Sequence, residues 1–149
     1  MNEKKMMLRA LEAAARCVES DDVPVGAVLF RGEEIVAVCG NARERDGDAT
    51  QHAEIAVIRE ACRKLGRWRL SDCEMAVTLE PCPMCAGAIV NARIPKIIVG
   101  AKDPKGGAFG SVVNLNAYPL NHKVEVVFGE EKEECEAVLK EFFQKKRKN

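Results

Sequence analysis

Aromatic side chains are scarce in this chain: Phe, Trp and Tyr make up 5% of its 149 residues, with a single Trp and a single Tyr. That scarcity argues against a nucleic-acid platform of interleaved aromatics. Net charge is missing too, since Lys plus Arg and Asp plus Glu each number 23. Bulk charge therefore speaks neither for nor against a polyanionic partner, and only a local patch could serve one. The longest apolar stretches are only a few residues, which excludes a membrane span, and residues 1–9 are too charged for the apolar core of a secretory signal. Low-complexity tracts and internal repeats are absent, so disorder is expected only at the two ends. Seven cysteines, an odd number in a chain without an export signal, point to thiols or metal ligands rather than a disulfide framework, and to a reducing cytoplasm.

What is present suffices for one domain spanning residues 1–149, because 47% hydrophobic content in a chain of this length can bury its own core. Met7, Leu11, Ala14 and Val18 recur at helical spacing and predict an amphipathic helix over residues 3–20. Val25 to Phe30 and Ile35 to Cys39 flank a polar turn with Gly32, the pattern of a hairpin. From His52 the period becomes helical again, with Ile55, Ile58, Cys62 and Leu65 on one face and Gly66 placed to end it. Strands are expected at Met75–Leu79, Ile97–Ala101 and Val124–Phe128, and helices at Pro83–Arg93 and from about Glu130. Strands alternating with helices favour right-handed parallel crossovers. The expected fold class is α/β, a three-layer α/β/α sandwich around a mixed five-stranded sheet.

Two helix starts carry the chemistry. Cys82 and Cys85 are three apart, so both sulfurs lie on one side of a first turn, and Pro83 suits the first helical position. Free backbone N–H groups and the helix dipole favour thiolate there. His52, at the mouth of the preceding helix, can supply a third ligand. Glu54 lies two residues further on; within a regular helix the two would point to opposite sides, so they converge only at the helix entrance. Three ligands and one open position describe a catalytic zinc site, one Zn2+ per subunit, where water is acidified toward neutral pH and Glu54 moves the protons. His52-Ala53-Glu54 followed by Pro81-Cys82-Pro83-Met84-Cys85 is the signature of zinc-dependent nucleobase deaminases. A flipped, unpaired base is the accessible substrate for such an enzyme, and zinc-activated water would attack the ring carbon that bears the exocyclic amino group.

Other candidates have plainer readings. Cys17, Cys39, Cys62 and Cys135 read as small buried hydrophobes. Cys73 could complete a metal site but sits before a strand, far from either helix start. His122 suits a hydrogen-bonded structural role or a substrate contact, and Trp68 reads as an anchor packing onto the body. The segment from Asp103 to Pro119 is long and rich in Gly, Asn and Pro, which makes it the expected functional loop. Gly106, Gly107 and Gly110 read as turn-makers, because no Gly-Lys-Ser/Thr follows them. The last helix candidate opens acidic, with Glu130, Glu131, Glu133 and Glu134, and closes basic, with Lys145 to Lys148. Complementarity with the helix dipole and a phosphate-contacting role for the basic end both fit that pattern.

The run Thr78 to Ile89, then Gly100-Ala101-Lys102-Asp103, Gly110-Ser111 and Asn121-His122, closely resembles the bacterial tRNA adenosine deaminases. Val23 to Val28, Asn41 and Phe142-Phe143 extend the resemblance over nearly the whole chain. It implies a cytidine-deaminase-like fold, a homodimer, and conversion of the wobble adenosine of a tRNA anticodon loop to inosine. It also implies that Asn41 contacts the target nucleotide, that the Ala53 backbone N–H helps hold the base, and that Val25 and His52 flank the ring. Asp103 would lie near the flipped nucleotide's ribose or its neighbour, and Phe143 and Arg147 on the helix lining the anticodon loop. Asp48-Ala49-Thr50-Gln51 departs from the family's usual Asp-Pro-Thr-Ala. A deaminase of a free base or nucleoside such as guanine or cytidine would share the zinc motif and fold. A zinc-containing RNA-binding partner without activity would have no chemical need for Glu54.

Overall fold

Ala27 and Leu29 point to one face of a central strand and Val28 and Phe30 to the other, and all four are buried. A strand buried on both sides must be covered by two layers. In this computed structural model, which describes residues 2–148, the strands are β1 (Gly26–Arg31), β2 (Glu34–Gly40), β3 (Glu74–Leu79), β4 (Lys96–Ala101) and β5 (Glu125–Phe128). The helices are α1 (Asn2–Arg16), α2 (Arg43–Asp46), α3 (Ala53–Leu65), α4 (Pro83–Asn91) and α5 (Lys132–Lys148).

The sheet runs β2-β1-β3-β4-β5. β1 is antiparallel to both β2 and β3, whereas β3, β4 and β5 run parallel; α4 makes the crossover from β3 to β4, and a long loop with one 3-10 turn, Leu115–Ala117, makes that from β4 to β5. One layer holds α3 and α4: Val57, Ala61, Ala86 and Ile89 pack on Ala27, Leu29, Met75, Val77, Ile97 and Val99. Met6, Met7 and Ala10 of α1 and Cys135 of α5 cover the other face, against Val28, Phe30, Ala76 and Ile98. α1 lies so close to β1 that a Cβ on Gly26 would come within 1.9 Å of the Ala10 carbonyl oxygen. The parallel crossovers leave the N-termini of α3 and α4 at the carboxyl ends of the strands, where α/β sheets form their sites.

Several expectations are corrected. The first helix ends at Arg16 and passes into a 3-10 turn, Cys17–Ser20, which leaves Val18 52% exposed. In α3 the fully buried stripe is Ala53, Val57 and Ala61; Ile58, Cys62 and Leu65 pack at its edge, and Ile55 is only half-buried. Small side chains face the sheet because the helix sits close to it. Cys17 and Cys135 are buried, but Cys39 and Cys62 are only partly so. Trp68 is no anchor: it is 55% exposed, with the Arg69 guanidinium 4.7 Å from its ring centre and that of Arg93 5.8 Å away. α5 starts at Lys132, so only Glu133 and Glu134 of the acidic run lie in its first turn. The four-residue α2 has no apolar period and escapes a sequence reading. Asp22 holds it from outside, accepting hydrogen bonds from the Glu44 N–H at 2.7 Å and the Arg45 N–H at 3.2 Å.

Candidate active site

His52 and Cys82 each stand at the cap position before a helix, α3 and α4, in extended backbone conformation, and neither side chain makes a capping hydrogen bond. A cap residue ordinarily satisfies the first free N–H groups. At the first helical position of each, the N–H is accounted for in another way. The Ala53 N–H donates to Oδ1 of Asn41 at 2.9 Å, and α4 begins with Pro83, which has no N–H to satisfy. The imidazole and the thiol face each other across the two helix starts.

Nδ1 of His52 lies 3.6 Å from Sγ of Cys82 and 3.4 Å from Sγ of Cys85, and the three ligating atoms all fall within 4.8 Å of one another. Donors bound to one tetrahedral zinc at ordinary Zn–N and Zn–S lengths stand about 3.6 Å apart. Two sulfurs and one imidazole nitrogen also form a donor set that suits zinc. The residues present therefore fit that metal, and no other group of three His, Cys, Asp or Glu side chains among the described residues does so.

The electrostatics of the group are set by sharing and burial. The Cys85 thiol hydrogen-bonds to Cys82 and, with His52 beside it, holds the Cys82 thiol down to about 4; the same contact pushes Cys85 up. The Cys82 thiolate in turn raises His52. Glu54, in the first turn of α3, is 4% exposed, and burial pushes its carboxyl up to about 7. The Cys85 thiol lies within its hydrogen-bonding reach. A carboxyl poised near neutrality against a metal-binding group is suited to general acid and base work.

Around this centre, Asn41 also donates from Nδ2 to the Val23 carbonyl at 3.1 Å, and its backbone N–H donates to the carbonyl of the buried Val25 at 3.0 Å. Val25, Asn41, Ala53 and Glu54 thus gather at the two helix starts. Asp103 belongs to the loop that follows β4. Its carboxylate accepts from the Lys105 and Gly106 N–H groups at 3.0 and 3.2 Å, bonds that shape its own turn. Phe143 and Arg147 lie on α5, which packs beside α1 on the far side of the sheet. Phe143 is 44% exposed and meets the buried Phe142 edge-on at 5.3 Å, and Arg147 is exposed.

Cys73 and His122 stand apart from the metal-binding group. Cys73 is buried at the start of β3 beside the Asp72 carboxylate, and burial pushes its thiol up to about 11. His122 hydrogen-bonds through Nε2 to the Ile94 carbonyl at 2.7 Å, a structural contact. The sequence reading overlooked Glu80. This carboxylate is 2% exposed and lies between β3 and Cys82, and it receives hydrogen bonds from the loop of residues 103–111. Its one signal was an acidic residue directly after a mostly apolar strand. Gly107 closes the turn from Asp103, donating to its carbonyl at 2.9 Å, and has a second role the sequence did not show: a Cβ there would come within 2.3 Å of the Glu80 carboxyl carbon.

The mixed sheet between helical layers, with its potential ligands at two helix N-termini, is the architecture of a cytidine-deaminase-like hydrolase. The MafB19-like deaminase family matches residues 1–147. A tRNA-specific adenosine deaminase of Bacillus subtilis (strain 168) is 48% identical over 143 residues, covering 95% of this chain and 89% of its own. One from Aquifex aeolicus (strain VF5) is 43% identical over 150 residues, covering 100% of this chain and 99% of its own. A structure solved in a study of A-to-I editing by tRNA:A34 deaminases superposes with a TM-score of 0.88 at 45% identity, covering 91% of this chain and 99% of that one. The chain belongs to the MafB19-like deaminases and, within them, to the family of the tRNA-specific adenosine deaminases.

Proposed function

We propose that this chain hydrolytically removes the 6-amino group of the wobble adenosine in a tRNA anticodon loop, leaving inosine in the RNA and releasing ammonia. The observation that carries the reading is a buried carboxyl, Glu54, in the first turn of the helix whose cap residue, His52, faces two cysteine sulfurs. The relatives' activity supports the choice of substrate.

His52, Cys82 and Cys85 would hold one Zn2+ per subunit, and bound there it would supply a Lewis acid that makes water a nucleophile at neutral pH. Glu54 takes a proton from the attacking water and delivers it to N1 of the adenine as the C6–O bond forms. It then carries the remaining hydroxyl proton to the amino group, the C6–N bond breaks and ammonia leaves. Val25 and His52 flank the ring, while Asn41 and the Ala53 backbone line the polar edge of the pocket. Asp103 sits by the ribose or the neighbouring nucleotide, and Phe143 and Arg147 meet the anticodon loop. The whole of residues 1–149 acts as one deaminase domain, working as a homodimer in the cytoplasm, where its tRNA substrate is found.

The test is to incubate the zinc-loaded protein with an unmodified tRNA bearing adenosine at the wobble position, beside free adenosine, cytidine and guanine. Inosine at the wobble site is expected. Ammonia from a free base or nucleoside alone would keep the zinc chemistry and overturn the substrate.

A further inference from the structure

Glu80 opens the two-residue connection from β3 to the Cys82 cap position, and its side chain is almost wholly occupied by a different segment of the chain. Oε1 accepts the Asp103 N–H at 3.0 Å, and Oε2 accepts the Phe109 N–H at 3.0 Å and the Ser111 N–H at 3.2 Å. The Ser111 hydroxyl donates to Oε1 as well. Two backbone bonds flank this cluster, from the Glu80 N–H to the Ala101 carbonyl at 2.9 Å and from the Ala108 N–H to the Pro81 carbonyl at 2.8 Å. Gly107 lies against the carboxylate where no side chain would fit. Loops of this length are ordinarily mobile, and a charged acceptor with four donors is far more than one needs merely to avoid burial unpaired. None of these donors comes from the metal-binding group. Every one comes from the segment that begins with Asp103.

From this we infer that Glu80 is a positioning residue for substrate recognition: it locks the loop of residues 103–111 onto the turn carrying Cys82, so that Asp103 and its neighbours stand at a set distance from the reacting centre. The inference rests on the proposed reaction for its substrate. It assigns to Glu80 no contact with the reacting atoms, and its effect passes through the loop.

Glu80→Gln tests it. The amide keeps one acceptor oxygen and turns an NH2 group toward N–H donors, so the loop loses its hold on at least one side without loss of side-chain volume. Three quantities are measured on the zinc-loaded full chain: hydrogen exchange at residues 103–111, bound zinc, and the kinetics of inosine formation on an anticodon stem-loop RNA. Faster exchange in the loop is expected, with zinc retained and KM raised about tenfold or more while kcat stays near that of the unaltered protein, because misplaced binding groups weaken association. Gly107→Ala displaces the loop from the opposite side with Glu80 intact. It should reproduce the KM shift, and it keeps the test open if Glu80→Gln does not fold. Unchanged loop exchange would overturn the inference, as would a loss confined to kcat or a loss of zinc in both variants. Assaying the unaltered protein alongside separates the two claims: inosine formed by it upholds the proposed reaction whatever the variants do, and its failure to form inosine falls on that reaction, while exchange still decides whether Glu80 holds the loop.

Discussion

Asn41 bridges from the end of β2 to the first turn of α3, accepting the Ala53 N–H on its Oδ1 at 2.9 Å and giving its amide to the Val23 carbonyl at 3.1 Å. It therefore satisfies the first backbone N–H of α3, next to His52, and ties that helix start to β2 and to Val23. Asn41→Ala leaves the Ala53 N–H without its partner in a partly buried place, and a loss of about 1–2 kcal/mol of stability is expected. Urea denaturation reads that loss, and deamination should fall together with it. Full activity in a destabilised variant would show that the bridge serves the fold alone.

Glu54→Ala should keep the metal and lose turnover. General acid and base groups contribute roughly 10²–10⁴-fold, so a variant within tenfold of the unaltered rate would exclude Glu54 as the proton carrier. Zinc analysis of the same preparation confirms that the site is loaded.

Cys82→Ala should lose zinc as well as activity, because two ligands remain of three. A variant that retained a full equivalent of metal would show the ligand assignment to be mistaken.

A prediction with pH dependence comes from Asp22. Burial pushes this carboxyl up, but hydrogen bonds from the Ser20 hydroxyl and the Glu44 and Arg45 N–H groups outweigh burial and leave it below its ordinary value. A carboxylate depressed in the folded state contributes stability above its unfolded pKa, near 4 on ordinary values, and that contribution disappears as pH falls through the folded value. Asp22→Asn should accordingly cost about 1–3 kcal/mol at pH 7, from hydrogen bonds to a charged group. The gap between the two proteins should close in acid. Denaturation midpoints from pH 7 to pH 3 give the comparison, and a gap independent of pH would mean that the carboxylate's charge is not what holds α2.

Gly26→Ala places a methyl 1.9 Å from the Ala10 carbonyl oxygen and 2.8 Å from the Ala14 backbone nitrogen. Helix α1 must lift from the sheet to admit it, at about 1–3 kcal/mol or more as overpacking. A thermal melt of the purified variant checks this, and an unchanged midpoint would mean that the helix has slack there.

The strands and the potential metal ligands were legible in the sequence for the same reason: local chemistry dictates each. Val28 and Phe30 are apolar because both faces of β1 are covered, and Cys82, Pro83 and Cys85 spell a helix start with two sulfurs on one side. Less legible were features decided by distant parts of the chain. The buried face of α3 is built from alanine and valine, whose weak apolar signal is outranked by the larger Ile55, half-buried in the structure. α2 depends on Asp22, some twenty residues earlier, and Glu80 gains its meaning from N–H groups that reach it only once the loop has folded back. Neither partnership leaves a period or a spacing to read.

Asn41 takes the first N–H of α3, and α4 begins with a proline that has none, so at both helix starts the first backbone position makes no demand on His52 or Cys82. Chemistry and architecture meet at these two residues without competing for that position, which makes them the natural place to re-engineer the reaction.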